Sequence, residues 1–357
     1  PRGAGKTVLL RQIALEHNNA FYLSADSLDP HDDDVWRLLN KLHEHYGFTT
    51  FLIDEAHFLP DATGLLKRLY DFLDVRVVFT SSVALAMRAS AHDLSRRVRM
   101  QELHTFSFRE YLAFKHGLSL RRLNLEEIIE RNWDTDHLRA GRFFDDYLVH
   151  GGLLPYALEE PEPLPFLANI IEKVISRDIP AVAKLTIDEL DHIARLLRFV
   201  GRSGVDGISY SNLSRNLGIT KYKAEQYVDC LEKAFILTRV LPEGSNVLRE
   251  PKVLMSPPCR LLYRDADNAI GGLREDYIAE AMRQAGIHFR YLKSTRGKKT
   301  PDYLIAGYAD NLVVEIGGKG KGREQFKGVT MGRKVIFSHQ AAPDSRRLPL
   351  VLLGYLA

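Results

Sequence analysis

The chain has 357 residues, of which 45% are hydrophobic, 10% aromatic and 27% charged. These proportions are ordinary for a globular protein and exclude a largely disordered or fibrous chain. The 49 basic and 46 acidic residues give a net charge of +3, which by itself does not indicate a nucleic-acid partner. The length predicts about two or three domains.

The sequence offers no sign of secretion or of membrane insertion. No apolar run is long enough for a membrane-spanning helix, and no basic leader with an apolar core precedes the first motif. Two cysteines, Cys230 and Cys259, are too few for a disulfide framework or for a thiolate metal site. We therefore expect a cytoplasmic protein with no membrane partner.

The chain opens with Pro-Arg-Gly-Ala-Gly-Lys-Thr, which is most of a phosphate-binding loop of the pattern G-x-x-x-x-G-K-[ST]. The first glycine of the pattern and the strand before it are missing, so we expect the natural protein to have further residues upstream. The amphipathic run Val8–Leu15 follows the loop and predicts a helix. A glycine-rich turn that only begins a helix is the alternative.

The residues of this loop suit a nucleotide. Small residues, Gly3, Ala4 and Gly5, would let backbone N–H groups approach phosphate oxygens at a helix N-terminus. Lys6 would place a positive charge on the outer phosphates, and the Thr7 hydroxyl would coordinate magnesium. The sequence therefore predicts ATP and Mg²⁺ as cofactors.

A second motif, Phe51–His57, is an apolar run that ends in two carboxylates. It predicts a buried parallel strand with the acids at its carboxyl end, where open α/β sheets bind ligands. We expect Asp54 to hold the magnesium ion and Glu55 to orient and polarise the attacking water. A strand that ends in a solvated turn is the alternative.

A third strand is predicted at Val75–Phe79, and it runs into Thr80-Ser81-Ser82. We expect Ser81 to contact the γ-phosphate or the water, while helix capping by a serine is the alternative. Arg96 and Arg97 follow in the sequence. An arginine supplied across a subunit interface stabilises the transition state of phosphoryl transfer, and a solvated surface arginine is the alternative.

Together these motifs resemble those of predicted AAA+ ATPases of bacteria and archaea, in which an ATPase domain precedes a winged-helix region and a restriction-endonuclease-like domain. The stretch Leu103–Leu112 is similar to the family signature l-x-P-L-S-F-x-E-[FY]-L, with Thr105 at the proline. The resemblance implies a homo-oligomer and Arg97 as the arginine finger. The family's Thr-Gly-Ser-Ser differs from the present Thr80-Ser81-Ser82, so the sensor residue is left open. The DEAH quartet at 54–57 also occurs in helicases, whose second lobe has no counterpart in this sequence.

The middle of the chain is predicted to be helical over 113–185, with an acidic, proline-rich hinge at 159–165. The run Ile208–Thr220 predicts a helix, a glycine turn and a second N-cap; a helix to about Lys233 and the strand Phe235–Val240 follow. This is a winged-helix pattern. The second helix mixes lysines with acids, so DNA contact, a lid and a protein-contact module are alternatives.

Near the C-terminus, Pro301-Asp302 and a strand bearing Glu315 resemble the PD-(D/E)XK nuclease core. The resemblance implies that Asp302 and Glu315 hold a second magnesium ion and that Glu275 is the family's helix glutamate. Gly317 stands where the lysine is usual, and the first lysine is Lys319. An active nuclease and an inert nuclease-like fold are therefore both open.

Charge in the same region points to a polyanion. Residues 286–334 contain eleven basic and four acidic side chains, a larger excess than that of the whole chain. Such a cluster is typical of contact with DNA or another polyanion, and solvated loops are the alternative.

The sequence as a whole predicts an α/β fold. We expect an AAA+ P-loop domain with a parallel sheet at 1–140, a helical lid at 141–185, a winged helix at 186–245 and an α/β nuclease-like domain at 246–357. The predicted function is an ATPase that couples its nucleotide state to the C-terminal module. An ATP-gated switch with little turnover and an ATPase-regulated DNA nuclease are the alternatives.

Overall fold

The structure is a computed structural model that describes residues 2–28, 35–82, 94, 97–151, 163–183, 185–204, 208–244, 250–292, 300–307, 311–317, 326, 332–339 and 347–357. Several predicted features lie outside these residues: Arg96, Lys319, residues 159–162 of the hinge predicted at 159–165, and most of the basic cluster (Lys293, Arg296, Lys298, Lys299, Lys321, Arg323 and Lys327). The chain divides into two compact units, each built from separate stretches. Unit 1 comprises Pro1–Leu103, Asn169–Leu190 and Lys233–Phe235, and unit 2 comprises His104–Ala168, Asp191–Glu232 and Ile236–Ala357.

Unit 1 contains a parallel sheet, as predicted. The elements in chain order are α1 Lys6–Glu16, β1 Ala20–Ser24, α2 Val35–Tyr46, β2 Thr50–Asp54, α3 Ala62–Phe72 and β3 Arg76–Phe79. The strands pair in the order β1-β2-β3, and the register places Ser24 beside Asp54 and Ile53 beside Phe79. The carboxyl ends of the three strands therefore lie at one edge of the sheet.

The core of unit 1 holds the central strand in place. Every residue of β2 is buried, as expected for an apolar run in a parallel sheet. Phe51 and Ile53 pack in one cluster with Leu39 of α2 and with Leu65 and Leu69 of α3. Because both helices pack against β2, the core of unit 1 fixes the position of Asp54 at the end of that strand and of Glu55 directly after it.

The remaining helices are α4 Phe108–His116, α5 Leu125–Glu130, α6 Thr135–Arg139, α7 Phe144–Asp146, α8 Pro163–Lys173, α9 Ile179–Val182, α10 Ile187–Arg202, α11 Tyr210–Leu217, α12 Lys221–Lys233, α13 Pro257–Arg260 and α14 Ala266–Gln284. Most of them lie in unit 2, whereas α9 and parts of α8, α10 and α12 belong to unit 1. A π-helical turn, Val174–Asp178, joins α8 to α9 within unit 1. No helix in the described part of the chain is long and apolar enough to cross a membrane.

The stretch around Ser107 has a clear local role. The Ser107 side chain accepts a hydrogen bond from the Glu110 backbone N–H, and the Glu110 carboxylate accepts one from the Ser107 backbone N–H. This reciprocal capping box begins α4 and satisfies N–H groups that the helix leaves unpaired. The Ser-Phe-Arg-Glu part of the predicted signature therefore encodes a helix start.

The predicted helix, glycine turn and helix are observed in α11 and α12, with Gly218 at φ 68° ending the first of them. A two-stranded antiparallel sheet follows, in which β4 Leu237–Val240 pairs with β5 Lys252–Met255. Leu213 of α11 and Leu231 of α12 are fully buried. The apolar spacing of the sequence therefore located this part of the fold.

The C-terminal part of unit 2 contains a five-stranded sheet. Its strands are β6 Phe289–Tyr291, β7 Tyr303–Ile305, β8 Leu312–Gly317, β9 Arg333–Ser338 and β10 Arg347–Pro349. They lie in the order β10-β9-β8-β7-β6; β6, β7 and β8 pair antiparallel, whereas β8, β9 and β10 pair parallel. The large core of this part includes Phe108, Tyr277, Phe337 and Tyr355.

Candidate functional site

The opening loop adopts a backbone that glycine permits. Gly3 has φ 78° and Gly5 has φ 90°, both in the left-handed region that other residues rarely adopt. A Cβ atom at Gly5 would meet nothing within 4 Å, so the backbone angle, and not space, requires glycine there. Since α1 begins at Lys6, the loop presents its backbone N–H groups at a helix N-terminus, where anions bind well.

Asp54 is the centre of the site. Its carboxylate is buried at the end of β2, and Oδ2 accepts hydrogen bonds from the Thr7 hydroxyl at 2.6 Å and from the Tyr22 hydroxyl at 3.0 Å. Oδ1 accepts from the Thr80 hydroxyl. The loop, β1, β2 and the end of β3 therefore meet at one carboxylate.

The charges at this centre are set by burial and by these contacts. Burial disfavours the ionised form of Asp54, but the hydrogen bonds from Thr7, Thr80 and Tyr22 and the charge of Lys6 outweigh it, so the pKa of Asp54 lies below its usual value. Burial lowers the pKa of Lys6, while the charges of Glu55 and Asp54 act to raise it. Lys6 therefore lies within electrostatic reach of both predicted acids.

Glu55 is held in a defined position. Its backbone has φ 49°, and its N–H donates to Asp54 Oδ1 at 3.2 Å and to Thr80 Oγ1 at 3.1 Å. Its Oε2 accepts a hydrogen bond from the Ser82 N–H at 2.9 Å and lies 3.3 Å from Nδ1 of His57. Burial lowers the pKa of His57, although the charge of Glu55 opposes this, so the buried ring is neutral at pH 7.

The structure brings together Lys6, Thr7, Asp54 and Glu55, four of the residues predicted for ATP and magnesium. At the end of β3, Thr80 and Ser82 make the contacts to the two acids. The sensor role of Ser81 stays a prediction.

The Arg97 side chain is partly exposed and forms an ion pair with Asp71. Its Nε donates to Asp71 Oδ1 at 2.8 Å, its Nη2 donates to Asp71 Oδ2 at 3.1 Å, and its guanidinium lies 5.8 Å from the centre of the Tyr70 ring. Both members of this ion pair are partly exposed. A role of Arg97 in a neighbouring copy's site stays a prediction.

Sequence reasoning missed Tyr22, Arg2 and Asp178. Tyr22 is an ordinary strand residue, and only the parallel register with β2 brings its hydroxyl to Asp54. Arg2 forms a bidentate ion pair with Asp178, which lies 176 positions further along the chain. No local pattern marks such a distant partner.

The residues at this centre fit a magnesium ion. Thr7 Oγ1 and Asp54 Oδ2 lie 2.6 Å apart, and both are hard oxygen donors of the kind that Mg²⁺ takes beside substrate phosphates. The lowered pKa of Asp54 keeps that carboxylate ionised at neutral pH.

Comparison with known proteins agrees with this geometry. Residues 1–112 match the model of an AAA domain. The match and the geometry together support a P-loop ATPase domain of the AAA type in this part of the chain. Residues 141–256 match a domain of unknown function, DUF8612.

Two individual proteins are also similar to the chain. The uncharacterized protein MJ1637 of Methanocaldococcus jannaschii is 28% identical over 395 aligned residues, which cover 99% of this chain and 83% of that protein. The ORC1 protein of Aeropyrum pernix, solved in complex with DNA, is 14% identical and gives a TM-score of 0.32, covering 77% of this chain and 84% of that chain.

The acids predicted for the C-terminal region lie in unit 2. Asp302 directly precedes β7, in which Tyr303 pairs with Val314 of β8, and Asp302 Oδ2 accepts a hydrogen bond from the Ile316 N–H at 2.8 Å. Glu315 is buried. In the part of the chain that the structure describes, no group of three or more His, Cys, Asp or Glu residues is arranged to hold a metal ion. The second metal site at Asp302 and Glu315 stays a prediction.

Glu275 lies on α14, buried, with its carboxylate paired to the Lys252 ammonium and 3.5 Å from the Tyr303 hydroxyl. Burial raises the pKa of Glu275 to about 7; the Lys252 charge opposes this and the Asp302 charge adds to it. At pH values between 4.5, the ordinary pKa of this side chain, and about 7, Glu275 in the folded state binds a proton that it has released in the unfolded state. Stability is therefore lost as the pH rises through this window.

The variant Glu275→Gln should remove this dependence. The free energy of unfolding, measured in urea, should fall in the unmodified protein as the pH rises from about 5 to about 8. This fall should exceed the fall in the variant by on the order of 3 kcal/mol. Glu225→Gln, at an exposed position of unit 2, is the control and should behave like the unmodified protein. Equal pH dependence in Glu275→Gln and the unmodified protein would show that Glu275 does not titrate in this range.

Proposed function

We propose that the chain binds Mg·ATP at the site around Asp54 and hydrolyses it. The observation that carries the proposal is the 2.6 Å contact between Thr7 and Asp54, because it joins the first turn of α1 to the carboxyl end of β2. P-loop ATPases place a loop hydroxyl, a strand-end aspartate and the loop lysine in this way around the phosphates. The AAA-domain match over residues 1–112 supports the same proposal.

Each residue has a role that its geometry suits. The backbone N–H groups of Gly3, Ala4 and Gly5 would bind phosphate oxygens, and Lys6 would balance charge on the outer phosphates. Thr7 and Asp54 would hold Mg²⁺, which when bound supplies charge neutralisation on the phosphates.

Glu55 would take up or orient the proton of the attacking water. The Ser82 N–H holds its carboxylate at 2.9 Å from one side, which keeps the acceptor in place for a water molecule. Ser81 would contact the γ-phosphate, and Arg97 of a neighbouring copy would complete the site in a homo-oligomer. For Arg97 to act in a neighbouring copy, its hydrogen bonds to Asp71 of its own chain must break.

The test is phosphate release by the purified protein with ATP, with and without magnesium. We expect release that stops on addition of EDTA and returns when Mg²⁺ is added in excess. Binding of a fluorescent ATP analogue is measured in the same samples. The absence of both binding and phosphate release would contradict the proposal. Tight binding without release would favour the ATP-gated switch.

For unit 2, we propose a module that binds DNA or another polyanion and that responds to the nucleotide state. Its support is the positive charge of residues 286–334, to which Arg290, Arg333 and Lys334 contribute among the described residues. Affinity for a DNA duplex should then fall steeply as salt rises.

The nuclease alternative draws on the pairing of Asp302 with the strand that bears Glu315. Cleavage of the duplex in Mg²⁺, lost in Asp302→Asn, would favour it. Binding without cleavage would favour the binding module.

A further inference from the structure

Asp178 connects two parts of the nucleotide site. Its side chain, at the end of the Val174–Asp178 turn, is 0% exposed. Arg2 donates to it twice, from Nε to Oδ2 at 2.8 Å and from Nη2 to Oδ1 at 2.8 Å, and the Ser82 hydroxyl donates to Oδ2 at 3.1 Å. Arg2 stands directly before Gly3 of the phosphate loop, and Ser82 follows β3. One buried carboxylate therefore contacts both segments.

The connection continues to Glu55. The Ser82 N–H donates to Glu55 Oε2 at 2.9 Å, so Asp178 is two hydrogen bonds away from the carboxylate assigned to the attacking water. The hydrogen bond and the charge of Asp178 raise the pKa of Arg2, and the charge of Glu55 adds to this. The loop and Glu55 therefore cannot move independently while these bonds are made.

Stability alone is a weak reason for this arrangement. Removing two charges from water costs free energy that their attraction recovers only in part, so a buried ion pair adds little net stability. A bidentate arginine–carboxylate pair does, however, fix the mutual orientation of its partners. The contribution of Asp178 is geometric: it sets where the loop lies relative to the end of β3.

We propose that Asp178 is a positioning residue for ATP hydrolysis, which holds the phosphate loop and Glu55 at a fixed separation by binding Arg2 and Ser82 at the same time. This inference rests on the proposed ATPase function. Asp178 acts through its two partners and does not itself touch the nucleotide. A displacement of about 1 Å in a reacting group costs on the order of 100-fold in rate, so loss of this connection should be visible in turnover.

The first variant is Asp178→Asn, which keeps the shape of the side chain and removes its charge. We expect kcat for ATP to fall about 10- to 100-fold. The KM should not rise, because Arg2, released from its ion pair, adds positive charge beside the phosphates. Binding of a fluorescent ATP analogue should therefore be as tight as in the unmodified protein, or tighter.

The second variant, Ser82→Ala, removes the hydroxyl that contacts Asp178 and keeps the N–H that contacts Glu55. It should lower kcat by less than Asp178→Asn does. The double variant should be no slower than Asp178→Asn alone, because both changes break the same connection and their effects are not additive.

Asp276→Asn is the matched control. Asp276 is as buried as Asp178 and is also paired with an arginine, Arg260, but it lies in unit 2. It should lower the melting temperature while leaving kcat for ATP unchanged. A loss of kcat in Asp276→Asn equal to that in Asp178→Asn would overturn the proposal, since a general loss of stability would explain both.

The remaining outcomes are also decisive. Unchanged kcat in folded Asp178→Asn overturns the positioning role, and if that variant does not fold, unchanged kcat in Ser82→Ala overturns it. The unmodified protein distinguishes failure of the positioning role from failure of the ATPase proposal. If the ATPase proposal is wrong, the unmodified protein neither binds nor hydrolyses ATP.

Discussion

Replacing Glu55 by glutamine should lower ATP turnover at least about 100-fold and leave nucleotide binding unchanged. Glutamine has nearly the same shape, and its amide oxygen can still accept the hydrogen bond from the Ser82 N–H, made at 2.9 Å in the unmodified protein. It cannot take up a proton from water. The effect should therefore fall on kcat, measured by phosphate release in excess Mg²⁺, with the dissociation constant of a fluorescent ATP analogue as the second readout.

A matched control is Glu44→Gln, which removes the same charge at an exposed position of α2. It should turn over ATP like the unmodified protein. If Glu55→Gln also did so, the water-activating role of Glu55 would be wrong, and another group at the end of β3 would have to supply it.

The second large effect is expected for Lys6→Ala. The ammonium group lies within electrostatic reach of Asp54 and Glu55, and a bound polyphosphate would add further negative charge beside it. Losing a charge-assisted contact of this kind costs about 1.5–3 kcal/mol, which weakens ATP binding about 10- to 100-fold. Titration with the fluorescent ATP analogue measures this loss, and turnover should fall with it.

The nucleotide-free protein gives an independent check on Lys6→Ala. Burial lowers the pKa of Lys6, so placing its charge in the empty site is unfavourable, and the alanine variant should melt no lower than the unmodified protein. Lys41→Ala, on the exposed side of α2, is the control and should bind ATP normally. Normal ATP affinity in Lys6→Ala would contradict a phosphate-binding role of this loop.

Much of the candidate site could be predicted from the sequence because it is built from local patterns. The glycines of the loop, the helix after it and the apolar run that ends in Asp54 each determine their own local structure. Parallel strands gather their carboxyl ends at one edge, which brings these segments together. The contact between Thr7 and Asp54 agrees with this expectation.

The rest depends on contacts between distant segments. Asp178 reaches Arg2 across 176 positions, and no spacing rule connects them. After the end of β3, Thr80 contacts Asp54 through its hydroxyl, and Ser82 contacts Glu55 through its backbone N–H. Neither contact follows from a local sequence pattern, and the contact of Ser81 with the γ-phosphate or the water stays a prediction. In the C-terminal region, Gly317 at the usual lysine position left the chemistry undecided from the start.

The hydrogen bond from Thr7 to Asp54 has a consequence for the order of events at the site. A hydroxyl group carries one hydrogen and two lone pairs, and here the hydrogen is donated to Asp54 Oδ2 at 2.6 Å. Both lone pairs are therefore left to face elsewhere before any cation arrives. Asp54 thus prepares the oxygen of its neighbour as a ligand, and loading with metal need not break the bond between the two side chains.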